Sequence, residues 1–223
     1  MAGRIAALVG DYYHKAGPML EALETVARAL SLSLEPFEDP LALSWDRLQP
    51  YRALVVARED RMAPPDGKAV WAGRRHETAL AEYVQAGGAL LVLHAGLASY
   101  PTDGPWFETV RGAFQFHPSE HPRFSVRGRN APSADASRHA VLEGFSPFEI
   151  QDEQYFVRVD SARTTCLLDS ASADYGTSCA AWAHGVGKGR VFCFTPGHNP
   201  PVLENPSYRS VLNRGFRWAL NEG

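Results

Sequence analysis

The sequence contains few cysteines, and their spacing forms no recognised pattern. Cys166, Cys179 and Cys193 are the only three in 223 residues, none belongs to a CxxC pair, and all lie in apolar runs. An odd number of unpaired cysteines excludes a disulfide framework and a thiolate zinc motif. We therefore expect them to be reduced residues of the core.

Long apolar runs are also missing. No stretch approaches the roughly 20 apolar residues that a membrane-spanning helix needs, and the first residues lack the pattern of a signal peptide. Lysine and arginine (22) are slightly outnumbered by aspartate and glutamate (25), and they form no basic stripe. The charge pattern argues against a nucleic-acid partner. We expect a cytoplasmic protein that contacts neither nucleic acid nor membrane.

The most informative segment is GGALLVLHAG, from Gly87 to Gly96. A continuous apolar run that ends in a histidine and two small residues predicts a buried strand followed by a tight turn. This places His94 at the carboxyl end of a strand, which is where open α/β sheets bind their ligands. A second buried run, residues 190–194, leads in the same way into Gly197 and His198.

The first half of the chain alternates strand-like and helix-like patterns, which predicts βαβ units and a parallel sheet. The predicted strands are 5–9, 32–37, 53–57 and 89–93, and the predicted helices are 18–30 and 73–85. Asn205 and Pro206 provide the N-cap and first turn of a closing helix. We see no linker or repeat, so we predict one domain over residues 1–223.

The second half has a different pattern. Prolines punctuate residues 100–147, which predicts long loops and small strands above the carboxyl edge of the sheet. The apolar segments 156–159, 165–168, 179–183 and 190–194 follow too closely for crossover helices, so they predict an antiparallel extension. Gly185–Arg190 is rich in glycine but separates two strands. We interpret it as a hairpin turn, not a phosphate loop, and expect no nucleotide cofactor.

Three histidines follow predicted strands and are candidates for one metal site. His14 comes after the first strand, His94 after the fourth and His198 after the last. Imidazoles that converge on a pocket are common ligands of divalent metals, and zinc is the ion that we favour. Each histidine alone could also be a satisfied core or solvated loop residue. Tyr13 would line the same crevice and contact substrate.

Further candidates lie in the loops. In the DEQY segment, extended geometry would put Glu153 and Tyr155 on one side and Asp152 on the other. The two carboxylates and His198 are candidate catalytic groups, and partial burial would raise the pKa of Glu153 towards neutrality. Tyr155 is a candidate substrate contact, as are two residues of the loops, His117 and Trp106.

His117 and His121 have helical metal-ligand spacing, but Pro118 and Pro122 make an HExxH-type helix implausible. We expect His121 at the surface. A solvated strand start is the alternative interpretation of the DEQY segment.

Several short motifs, taken in order, resemble the trehalose utilization (ThuA-like) family. They are GGALLVLHAG, Gly112–Phe114 with His117–Pro118, His139–Val141 with Gly144, DEQY, Gly187–Phe192, Gly197–His198 and the closing FRWAL. The resemblance covers nearly the whole chain. Ala140 departs from it, since a proline is expected after His139.

The resemblance implies an α/β fold like that of class I glutamine amidotransferases, a flavodoxin-like three-layer parallel sheet, here with the antiparallel extension. Those enzymes carry a nucleophilic cysteine where this chain has His94, so we expect no glutaminase activity. The resemblance also implies carbohydrate metabolism. We expect a small sugar or keto-sugar ligand and, if the protein is an enzyme, a metal-dependent hydrolase or isomerase. The alternative is a non-catalytic ligand-binding or regulatory module, and a homo-oligomer is compatible with either.

Overall fold

A computed structural model of the chain describes residues 3–62, 67–129 and 139–222. The described helices are α1 Ala16–Ala29, α2 Arg74–Gln85, α3 Pro105–Val110, α4 Pro200–Glu204 and α5 Pro206–Ala219. The described strands are β1 Arg4–Val9, β2 Ser33–Phe37, β3 Tyr51–Ala57, β4 Ala89–Leu93, β5 Gly112–Phe116, β6 Arg123–Gly128, β7 Phe148–Gln151, β8 Phe156–Val159, β9 Thr165–Ser172, β10 Gly176–Val186 and β11 Gly189–Phe194.

The large sheet has the strand order β2-β1-β3-β4-β11-β10-β9-β6-β7. Its first five strands are parallel, and the other four are joined by antiparallel pairings. The parallel part has the flavodoxin-type order, in which the chain starts near the middle and winds outwards in both directions. The predicted fold class, with its antiparallel extension, is confirmed.

Alternating side chains of the strands build one core on each face of the sheet. Ile5, Ala7 and Val9 of β1 pack on the face covered by α1 and α5, whereas Ala6 and Leu8 pack on the face of α2 and α3. Each core is closed by the apolar side of its helices. The two helix layers and the sheet between them hold the strand ends at fixed positions.

Several local predictions are confirmed. The predicted strand 89–93 has the same bounds as β4, and the closing helix begins at Pro206 as predicted. The side chain of Asn205 caps this helix by accepting hydrogen bonds from the backbone N–H groups of Ser207 and Tyr208. Residues 187–188 connect β10 and β11 in an antiparallel hairpin. Helix α1 begins at Ala16 rather than Pro18.

The antiparallel extension is larger than the sequence indicated. We expected it to begin beyond Phe148, but β6, from the proline-rich region, pairs with both β7 and β9. Strands β5 and β8 form a separate two-stranded ribbon. We expected small strands in this region but did not place β6 or predict that it joins the large sheet. Pro118 and Pro122 lie before β6, so they leave its ladder of hydrogen bonds intact.

Candidate functional site

The carboxyl ends of three parallel strands converge on one cluster of histidines. His14 lies in the loop after β1, His94 directly follows β4, and His198 lies in the loop after β11. The centroid of the His14 ring lies 5.0 Å from that of the His94 ring and 4.9 Å from that of the His198 ring. The centroids of the His94 and His198 rings are 5.6 Å apart. The three predicted metal-binding histidines are therefore neighbours.

His14 is oriented by Asp11. The Asp11 carboxylate accepts from the backbone N–H groups of Tyr13, His14 and Glu59, and its Oδ1 lies 2.7 Å from Nδ1 of His14. Burial would raise the pKa of Asp11, but His14 and these N–H groups bring it below its usual value. The ionised carboxylate fixes the proton on Nδ1, so Nε2 of the neutral ring keeps its lone pair.

His94 occupies a strained turn that begins at the end of β4. Its φ is +42°, and it opens a 3₁₀ turn, His94–Leu97. Gly96 is required in this turn because a Cβ there would collide with the carbonyl oxygen of Val56. The Nδ1 atom of His94 lies 2.7 Å from the carbonyl oxygen of Thr195 and donates to it, which leaves Nε2 as an acceptor.

His198 is placed by Asp152. The buried Asp152 carboxylate accepts hydrogen bonds from the backbone N–H groups of Gly197 (2.7 Å), His198 (3.2 Å) and Asn199 (2.9 Å). Three N–H donors on one carboxylate form a rigid anion nest. The structure thus gives Asp152, predicted as a catalytic group, the place of a positioning residue for the His198 loop.

Glu153 supplies the carboxylate at the centre of the cluster. Its Oε2 lies 3.3 Å from Nε2 of His94 and 3.3 Å from Nδ1 of His198. Burial favours a raised pKa for Glu153, but the imidazole of His198, joined by that of His94 when it is protonated, outweighs burial and holds the pKa well below the usual value. Our expectation of a pKa raised towards neutrality is wrong, because the sequence did not reveal these close histidines.

The pKa values of His94 and His198 are shifted in opposite directions. Burial lowers the pKa of His94, which is 1% exposed, whereas the Glu153 carboxylate raises the pKa of His198. Within the described residues, His14 Nε2, His94 Nε2 and His198 Nδ1 are buried atoms without a hydrogen-bond partner. One ligand atom from each of these histidines and one from Glu153 lie within 4.8 Å of one another. Unpartnered buried nitrogens around a carboxylate are the arrangement that a bound cation would satisfy.

A second pair of histidines lies beside the other carboxylate oxygen of Glu153, and the ring of one of them, His121, is 5.0 Å from that of His198. His117 and His121, both in the loop between β5 and β6, place Nε2 3.7 Å from Oε1 of Glu153. We expected His121 at the surface, but its side chain is 33% exposed and faces the cluster. The HxxxH spacing was the available signal, and we set it aside because it is not helical here.

Tyr155 covers the cluster from one side. Its ring is 3% exposed and lies 4.1 Å from that of His94, tilted by 31°. Burial raises its pKa well above the usual value, so the phenol stays neutral. Residues 152–155 form no strand, yet Glu153 and Tyr155 both contact His94, as an extended segment would predict.

A cavity of about 280 Å³ opens onto the three clustered histidines. Tyr13, 46% exposed, lies in its wall. Trp106, predicted as a substrate contact, is 2% exposed and stacks on Tyr100 at 3.8 Å within the core of the α2–α3 face. The structure therefore does not bring Trp106 to the site.

A larger crevice, about 1000 Å³, lies at the amino ends of β3 and β4. Two of its charged residues have partners: Arg52 pairs with Glu222 at 2.7 Å, and Arg190 donates to the carbonyl of Trp218. Among the described residues, no unpartnered buried polar atom belongs to its lining. The histidine cluster has unpartnered buried nitrogens, and the larger crevice has none among the described residues. We therefore take the cluster as the candidate functional site.

No helix within the described ranges is long and apolar enough to cross a membrane.

Comparison with known proteins identifies relatives over nearly the full chain. A ThuA-like protein of Bacteroides uniformis (17% identity, TM-score 0.74) is matched over 98% of this chain and 91% of its own. One from Parabacteroides merdae (15%, TM-score 0.75) is matched over 99% and 90%. A cytoplasmic protein of Salmonella typhimurium (12%, TM-score 0.65) is matched over 98% and 99%. These likenesses show the shared fold.

No curated protein matches the sequence. The family model for ThuA, described as trehalose utilisation, matches residues 6–219. The match includes the three clustered histidines and Glu153. The chain therefore belongs to the ThuA family.

Proposed function

We propose that His14, His94, His198 and Glu153 bind one divalent metal ion, preferentially zinc, and that this centre acts on a small sugar or keto-sugar. One observation carries the proposal: three buried imidazole nitrogens without partners converge beside an ionised carboxylate. Such groups are costly to bury unless something satisfies them.

The donor set fits zinc in type, and two of its separations also fit in distance. Imidazole nitrogen and carboxylate oxygen bind zinc at roughly 2.0–2.2 Å, so neighbouring ligands of a tetrahedral ion are about 3.4 Å apart. The 3.3 Å separations from Glu153 Oε2 to His94 and His198 agree with such an edge. Asp11 and the Thr195 carbonyl hold the outer nitrogens of two rings, as is usual behind metal-bound histidines.

A zinc ion bound here would supply a Lewis acid that polarises a carbonyl or activates water. The chain's own groups hold the geometry. Asp152 fixes the loop of His198, and Tyr155 shields His94 from water. Glu153 offers Oε2 to the ion and keeps Oε1 as an acceptor for a proton or a substrate hydroxyl. A metal-dependent hydrolase or isomerase is the reaction class that these groups support.

The sugar ligand is supported by the family's description and by the cavity. The family model is described as trehalose utilisation. The cavity, about 280 Å³, is at the lower end of the size range of small-molecule sites, and Tyr13 provides an aromatic wall.

Two related Salmonella structures are described as cytoplasmic proteins, and we propose the same location for this chain.

We also propose that the protein has no glutaminase activity. The turn after β4, where an amidotransferase carries its nucleophile, holds His94. Cys193 is fully buried inside β11, and Cys166 and Cys179 lie in β9 and β10. A thioester mechanism needs a thiolate at the turn, and this chain has none there.

The first test is elemental analysis of the full chain, purified without a tag, loaded with zinc and desalted. We expect about one equivalent in the wild-type protein and a loss of most of it in His94→Ala and His198→Ala. His76→Ala is the matched control, because His76 lies on α2 against Trp45 and Trp71. No zinc in the loaded wild-type protein, or equal zinc in all variants, would disprove the centre.

The ligand class is tested by calorimetric titration of zinc-loaded protein with trehalose, glucose and a 3-keto-glucoside. We expect at least one to bind, and we expect chelator treatment to weaken that binding. Binding that survives complete removal of zinc would favour the non-catalytic ligand-binding module. Failure of all three sugars would refute the ligand class while leaving the metal result intact.

A further inference from the structure

His117 and His121 flank the same oxygen of Glu153, Oε1, whereas the proposed metal ligands His94 and His198 lie beside Oε2. The ring of His121 also lies 5.0 Å from that of His198. Each Nε2 is 3.7 Å from Oε1, and each side chain is 33% exposed. A separation of 3.7 Å exceeds the range of a direct hydrogen bond, so neither contact satisfies the groups involved. A polar atom to one side of such a contact, at hydrogen-bond distance of about 2.8 Å from both atoms, would satisfy both.

The proton on His117 is located by its neighbour. Its Nδ1 lies 2.6 Å from the carbonyl oxygen of Pro118. A carbonyl oxygen can only accept, so Nδ1 must donate. The neutral ring then carries no proton on Nε2, and this atom faces Glu153 as an acceptor.

The proton on His121 lies on the opposite nitrogen. Its Nδ1 is 3.0 Å from Nδ2 of Asn199, and the same Nδ2 is 3.2 Å from the carbonyl oxygen of Gln151. The contact with Gln151 fixes the orientation of the amide, because a carbonyl needs a donor. Asn199 therefore donates to Nδ1 of His121, and the neutral ring carries its proton on Nε2.

Two rings of opposite polarity thus lie beside one carboxylate oxygen. We propose that they form a sugar subsite that reads two adjacent oxygens of the ligand. The Nε2 atom of His117 accepts from a sugar hydroxyl, while Nε2–H of His121 donates to the neighbouring hydroxyl or carbonyl oxygen. This inference rests on the proposed function, since it concerns the same sugar, and it adds His121 and Asn199 to the site.

The same assignment argues against a second metal ion. The Nε2 atom of His121 carries the proton, so it cannot bind a metal while Asn199 donates to the other nitrogen. A carboxylate that bridges two ions through Oε1 and Oε2 is the competing interpretation. The metal content of the loaded protein distinguishes the two: the subsite predicts one equivalent and the bridged pair predicts two.

Long-range ¹H–¹⁵N NMR shows which nitrogen of each ring carries the proton. The experiment uses the labelled, metal-free full chain near pH 8, where free histidine is neutral. Signals are assigned by their loss in His117→Gln and His121→Gln. We expect a proton on Nδ1 of His117 and on Nε2 of His121. The same tautomer in both rings would overturn the proposal, and this readout does not depend on the metal.

The recognition step is tested by titrating trehalose, glucose and a 3-keto-glucoside into zinc-loaded variants. We expect His117→Leu and His121→Leu to weaken binding about 10-fold or more, because each leaves a sugar oxygen unpaired. His117→Gln and His121→Gln keep an acceptor and a donor and should restore most of the affinity. His76→Leu is the control.

Zinc content, measured on the same samples, should stay at one equivalent in the His117 and His121 variants. Unchanged affinity in both leucine variants, or no binding of any of the three sugars to the wild type, would overturn the subsite. A second equivalent of zinc that disappears in these variants would replace it with the bridged pair. Absence of zinc from the wild type would contradict the metal centre separately.

Discussion

The Nε2 atom of His94 lies 3.3 Å from Oε2 of Glu153, although Nδ1 of the same ring already donates to the Thr195 carbonyl. In the neutral ring that burial favours, two acceptors therefore face each other inside the protein. Two facing acceptors repel unless a cation or proton lies between them. This contact is the strongest physical reason to place a metal ion at the cluster.

Glu153→Gln should weaken zinc binding by about 10-fold or more, because a neutral amide replaces the charged ligand at the centre of the three histidines. Glu149→Gln, an exposed site whose carboxylate lies 3.8 Å from Arg123, is the matched control. Zinc affinity is measured by competition with a chromophoric chelator. Equal affinities of the two variants would show that Glu153 is not a ligand.

Asp11→Asn should lower zinc affinity by about 10- to 100-fold, the usual effect of losing a carboxylate behind a metal-bound histidine. Asp39→Asn is a close control, since Asp39 also accepts a backbone N–H in a loop but contacts no histidine. The same chelator competition provides the measurement. An affinity as high as that of the control would mean that Asp11 only shapes the loop.

Asp152→Asn should lower the free energy of unfolding by about 1–3 kcal/mol, because an amide nitrogen would face buried N–H donors of residues 197–199. It should also weaken zinc binding, since His198 would lose its fixed position. Urea denaturation measures the first effect, with Asp174→Asn in an exposed turn as the control. Wild-type stability would contradict the positioning role.

Gly96→Ala should destabilise the fold by about 1–3 kcal/mol, because the new methyl group would overlap the carbonyl of Val56 and displace the turn that holds His94. Gly128→Ala is the matched control, as a Cβ there meets nothing within 4 Å. Thermal and urea unfolding report the difference. Equal stabilities would indicate that the turn moves freely.

His184 should make the protein less stable in acid. Burial lowers its pKa from 6.5 to about 4 in the folded state, so the unfolded chain binds more protons between these values. Its contribution, about 3 kcal/mol, is complete above pH 6.5 and is lost as the pH falls towards 4. The side chain donates to the Thr109 carbonyl, a bond that His184→Gln can keep.

Urea unfolding of the wild type and His184→Gln at several pH values between 4 and 7.5 measures this contribution. The wild type should lose stability relative to the variant as the pH falls. Parallel stability curves for the two proteins would contradict the lowered pKa.

The sequence predicted much of the fold because its main signals are local. The apolar run 89–93, the N-cap Asn205 and the two-residue hairpin after β10 each depend on residues close in the chain. Local strand patterns also predicted that His14, His94 and His198 follow strands. They could not place β6, because pairing with β9 joins segments some 45 residues apart and leaves no local pattern.

The cluster around Glu153 depends on distant contacts. Strand β7 lies at the far edge of the sheet, yet residues 152–155 reach back to the ends of β4 and β11. This return puts Glu153 among the histidines, which lowers its pKa and directs Asp152 to the 197–199 loop. His121 faces the same carboxylate and contacts Asn199 of the loop after β11, whereas Trp106 stacks on Tyr100 in the core.

By itself, the sequence determined most strands of the parallel half and its main helices, the family resemblance and the three histidines at strand ends, since periodicity, capping and turn chemistry act over a few residues. Only the tertiary structure decided which nitrogens are left without partners and which carboxylate lies beside them. It also decided which ring nitrogen of His117 and of His121 carries the proton. Those properties arise from burial and from hydrogen bonds between residues far apart in the chain, and only packing brings such residues together.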